Sequence, residues 1–205
     1  MDEARALREY WFGPLPLTAE RLQERLRFWF GSGDEEERRR HDQEIRTRFG
    51  ALLEQAAGGQ LESWAHGPRR RLSLVILLDQ FPRNAFRGTA RAFAYDDRAL
   101  ALALSGMQSG ADAALEAVER IFFYMPLQHA ESREVQDESV AAYRRLLAEA
   151  PPELRAGFAS LLPYAERHRA VIERFGRFPH RNRLLERAST PVEEEWLQGG
   201  GERFG

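Results

Sequence analysis

The chain has 205 residues, 43% of them hydrophobic and 30% charged, and a net charge of −2. That length suits one domain with a core that needs no staples, and zero cysteines exclude disulfides, thiolate metal sites and cysteine nucleophiles. The near-neutral balance gives no general pull toward nucleic acid or anionic membranes, so neither is expected as a partner.

In chain order, the opening segment has no positive n-region and no long apolar stretch, so no secretory signal is expected. Trp11-Phe12-Gly13 and Trp29-Phe30-Gly31 read as two aromatic helix ends with glycine caps. Asp34 caps a helix that runs through Ile45, Phe49, Leu52 and Leu53 to Gly58, its charge run from Glu35 to Arg40 forming a solvated face. Arg69 to Phe81 is apolar nearly all round. With no strand partner in the sequence, it reads as a buried helix ended by Pro82. Its longest apolar run, Leu74 to Leu78, is far too short to span a bilayer. Further helices are expected at Asp96–Ser109, Asp112–Tyr124, Pro126–Glu149, Pro152–Phe175 and Asn182–Arg187. The last start signal is the capping box Thr190-Pro191-Val192-Glu193. The expectation is an all-α, single helical domain over residues 1–198, with antiparallel neighbours and a frayed tail over 199–205. The absence of cysteine fits a cytoplasmic location.

Two segments echo one another: Gln80-Phe81-Pro82-Arg83-Asn84 and Arg177-Phe178-Pro179-His180-Arg181-Asn182. With Trp29-Phe30-Gly31, Arg91-Ala92-Phe93-Ala94 and Tyr124-Met125-Pro126-Leu127-Gln128-His129-Ala130-Glu131, these motifs make the chain resemble a bacterial family, the "domain of unknown function 924". The resemblance covers nearly the whole chain, in order. It implies a tetratricopeptide-like array of helices and no assigned activity.

Much familiar chemistry is absent. There is no H-E-x-x-H, no carboxylate three residues before any histidine, no glycine-rich dinucleotide loop, no P-loop and no G-x-S-x-G. No metal and no cofactor are expected. Read as one helix from Pro126, the chain puts Leu127, Glu131, Glu134, Glu138 and Ala142 on one stripe, which makes Glu131 a buried hub. Buried carboxylates need partners, and a structural reading pairs Glu131 and Asp79 with Arg83 or Arg181. A functional reading brings the two Pro-Arg-Asn segments together into a pocket lined by Asp79, Gln80, Arg83, Asn84, His129, Glu131, Arg177, His180, Arg181 and Asn182. Asparagine occurs at Asn84 and Asn182 only, while aspartate and serine are plentiful, so both positions call for a donor and an acceptor. Such a pocket suits an anionic small molecule or a peptide. The alternatives are an enzyme using His129 or His180 as acid/base on an anionic substrate, and an interaction scaffold. An arginine-rich cleft with a histidine beside a carboxylate marks the enzyme. Pairing of every arginine marks the scaffold.

Overall fold

The computed structural model describes residues 2–31 and 33–204, and among these there are helices and turns but no strand. The α-helices are α1 (Glu3–Phe12), α2 (Ala19–Phe30), α3 (Glu35–Ala57), α4 (Pro68–Ala85), α5 (Asp96–Gln108), α6 (Ala117–His129), α7 (Arg133–Glu149), α8 (Arg155–Ala159), α9 (Leu162–Phe175) and α10 (Pro191–Gln198). Successive helices from α3 to α7 pack on one another, and α9 packs on α7. That order is compatible with a tetratricopeptide-like array. Among the described residues no helix is long and apolar enough to cross a membrane.

The centre is α4, because its apolar residues face every direction. It packs against α1, α3, α5 and α6, and Leu72, Val75, Ile76, Leu77, Leu78 and Phe81 are fully buried. Ser73, also fully buried, donates its hydroxyl to Ala4 O at 2.9 Å and so ties α1 to α4. Two start signals and two glycine stops act as the sequence indicates. Asp34 accepts from the backbones of Glu36 and Glu37, Thr190 and Glu193 form the capping box, and Gly13 and Gly31 close α1 and α2.

Proline placement differs from expectation. Pro82 does not end α4, and Pro126 does not begin a helix but lies inside α6. A proline inside a helix costs ~3 kcal/mol or more. Both helices are buried along most of their length, and their packing outweighs that cost. The chain breaks instead at Ala130, which is extended, and Ser132 caps α7. The stripe through Glu131 therefore does not exist: Glu134 and Glu138 are exposed. Residues 152–154 turn before the short α8, so Pro152–Phe175 is not one helix. Residues 182–186 form turns, with Glu186 at φ 53°, where a helix was expected. Beyond α10 the chain places Phe204 against His168 and Phe178, beside a small second core of Val171, Ile172 and Phe178.

Candidate functional site

A cavity of about 690 Å³ lies between the end of α2, the first turns of α3, the C-terminal half of α4, the end of α6, the start of α9 and the residues after α10. His129, the last residue of α6, lines it. Its Nδ1 is 2.7 Å from Oδ1 of Asp79, which is fully buried one helix away on α4. Gln80 donates to the other Asp79 oxygen at 2.6 Å, and the Arg83 guanidinium lies 3.6 Å away. Burial pushes the Asp79 carboxyl up, but His129 and Arg83 outweigh it and hold it ionised, below the usual carboxylate range. Burial, reinforced by Arg83, keeps His129 below its ordinary value despite Asp79. A neutral ring facing a carboxylate carries its proton on Nδ1, so Nε2 holds the lone pair.

What fixes His129 is the end of its own helix. Gln136, fully buried on α7, donates its amide to the carbonyls of Leu127, Gln128 and Ala130 at 3.3, 2.7 and 2.8 Å. It replaces the hydrogen bonds that a helix end leaves unmade.

The two Pro-Arg-Asn segments do meet, through their arginines. Arg83 grips Asp96 with two bonds of 2.8 and 2.9 Å, and Arg181 reaches the same carboxylate at 3.2 Å. Arg181 is buried between the rings of Phe93 and Phe178. Burial and Arg83 lower it to about 10, so it stays charged at neutral pH. Asn84 and Arg87 hold the buried Asp42, Asn84 by one bond of 2.9 Å and Arg87 by two of 2.7 and 3.0 Å, and among the described residues Arg87 Nη1 bonds to none. Arg27 and Arg203 line the cavity with no carboxylate partner among the described residues. Asp42, Asp79 and Asp96 lie behind the arginines they hold, and arginines outnumber carboxylates on the lining itself. Its walls include Phe28, Trp29, Phe30, Tyr164 and Phe204. His168, also lining it, gives Nδ1 to the Tyr164 carbonyl at 2.8 Å and is pushed down to about 3 by burial and by His129.

Glu131, Arg177 and Asn182 belong to a different network. Glu131 is no buried hub. It sits near the surface, accepts from Phe178 N at 2.7 Å and takes both arms of Arg187 at 2.6 and 3.0 Å. Its partner is thus neither Arg83 nor Arg181. Arg177 clamps Glu193 with bonds of 2.7 and 2.8 Å and holds it down to about 2. Asn182 uses both ends of its amide, donating to Ser189 and accepting from Arg187. His180 packs between Phe178 and Phe204, where burial and Arg181 lower it to about 4.

The family described as bacterial protein of unknown function (DUF924) matches residues 7–201. The chain belongs to that family. A solved structure of a protein of unknown function from Agrobacterium tumefaciens is 35% identical, over 89% of this chain and 99% of that one, with a TM-score of 0.72. Comparison with curated proteins gives no match.

In this DUF924 chain the cavity gathers Gln80, Arg83, Asn84 and His129 from the expected set, with Asp79 directly behind them. Arg181 joins from behind through Asp96. Sequence reasoning missed His41, on α3, and His168, which both line the cavity, because single histidines on helix faces carry no spacing signal. Arg40, assigned to a solvated face, pairs with Glu36 and also lines the cavity.

Proposed function

We propose that the cavity binds a small anionic molecule and that His129 exchanges a proton with it, which makes this an acid–base site. One observation carries the reading: a cavity histidine whose inner nitrogen is held by a fully buried, ionised aspartate, among arginines. That arrangement fixes the tautomer and leaves Nε2 as a base. Arg87 Nη1, Arg27 and Arg203 supply donors for the anion. Cationic lining and titratable groups favour a small anion over a peptide groove, and arginines without acid partners disfavour a scaffold.

The test is calorimetry with inorganic phosphate in buffers of different ionisation enthalpy. An anion seated beside a neutral histidine favours its charged form, so binding should draw a proton from the buffer. His129→Gln should bind phosphate within a few-fold of the parent and lose the proton uptake. Arg87→Ala should weaken binding at least tenfold, by loss of a charge-assisted contact of roughly 1.5–3 kcal/mol. Arg5→Ala, on the exposed face of α1, should change nothing. Undiminished proton uptake in His129→Gln would remove the acid–base role. Equal responses of the two arginine variants would mean charge screening alone.

A further inference from the structure

Among the described residues three large hydrophobic side chains are exposed: Phe30, Tyr164 and Val192. Two of them, at 49% and 47% exposure, line the same cavity. Phe30 is the last residue of α2, and Tyr164 lies in the first turn of α9. Their pairing is a product of the fold and not of local sequence. The two rings are nearly parallel, 16° apart, with centroids 6.4 Å from each other. At that separation the rings cover each other only in part, and about half of each residue's surface stays open. Neither position is loose. Phe30 is backed on the buried side by Phe122, again nearly parallel at 14° and 6.2 Å. The guanidinium of Arg167 sits 4.2 Å over the Tyr164 ring.

Exposed aromatic faces are costly in water and are the natural platform for a flat π-system. We infer that Phe30 and Tyr164 form a stacking subsite, and that the ligand is a small molecule with a planar aromatic ring joined to an anionic group. Its ring lies against the two aromatics while its anion faces the arginines and His129. This rests on the anion-site reading above and adds the chemical class of the ligand.

The experiment compares phenyl phosphate, cyclohexyl phosphate and inorganic phosphate by thermal shift and by quenching of tryptophan fluorescence, since Trp29 also lines the cavity. Phenyl phosphate should bind roughly tenfold more tightly than cyclohexyl phosphate, the difference between a stacked flat ring and a merely apolar one. Tyr164→Ala should abolish that preference and leave inorganic phosphate unchanged, whereas Tyr164→Phe should retain it. Tyr164 is half exposed, so its truncation leaves the core intact, and the inorganic phosphate response verifies this. A mononucleotide serves as a second arm: binding equal to or tighter than phenyl phosphate, with the same Tyr164→Ala loss, assigns the ring to a nucleobase. Equal affinities for phenyl and cyclohexyl phosphate, or a preference that survives Tyr164→Ala, overturns the stacking subsite while phosphate binding still upholds the anion site. No response to any of the three phosphates overturns both.

Discussion

Asp79 shows how much one residue can decide. A fully buried carboxylate is tolerable only when its oxygens are occupied, and here His129 takes one and Gln80 the other. Asp79→Asn keeps the shape but presents an amide to His129, so it can stabilise the opposite tautomer. We expect a loss of about 2–3 kcal/mol in urea denaturation, since breaking a buried charge pair leaves Arg83 undercompensated. Retention of parental stability would show that the carboxylate is not ionised. Gly106 makes the same point through space instead of charge. A Cβ there would collide with the ring of Phe123 and the chain of Arg71. Gly106→Ala should therefore destabilise by about 1–3 kcal/mol despite alanine's better helix propensity. Neither residue's role can be read from its neighbours in sequence, because Asp79 and His129 are fifty positions apart. What the sequence does carry is the Phe-Pro…Arg-Asn echo, with one extra residue in its second copy, and that was enough to single out Arg83, Arg181 and Asn182. Arg83 and Arg181 indeed converge on Asp96, whereas Asn182 turns away to Ser189 and Glu193.

At the scale of elements, caps were legible and prolines were not: Gly13, Gly31 and Gly58 end helices as read, whereas Pro82 ends none and Pro126 starts none. Caps act through a few adjacent atoms, so Asp34 and Thr190 work wherever the chain puts them. Proline is different, because its cost competes with burial that only the assembled bundle supplies, and at Pro82 and Pro126 burial wins. The break at Ala130 follows from the same competition. Gln136 reaches back to the α6 carbonyls and makes an early helix end cheap. Gln136→Leu should strand those carbonyls and cost about 1–3 kcal/mol in thermal denaturation. Because His129 ends that helix, the proton uptake that accompanies phosphate binding should diminish in the same variant. Loss of stability with unchanged proton uptake would detach the joint from the site.

For the whole molecule, acid should be a general destabiliser. His168 and His180 are lowered to about 3 and about 4 from the ordinary 6.5. Below pH 6.5 the unfolded chain takes protons that the folded one refuses, so stability present at neutral pH is lost as pH falls. Each histidine contributes about 1.4 kcal/mol per pH unit until its folded value is reached. Denaturant midpoints measured from pH 7.5 to 4.5 should fall steadily, and a flat profile from 7 to 5 would mean these rings take up protons in the folded protein as readily as in the unfolded chain. The small second core has a further consequence. Val171, Ile172 and Phe178 bury far less apolar surface than the body around α4, yet the segments they anchor supply one wall of the cavity. Amide protons over 171–204 should exchange with deuterium well before those of α4 and α6, as a cooperative unit that opens without global unfolding. The smaller core closes over the larger one, so a ligand bridging the two would slow exchange in both.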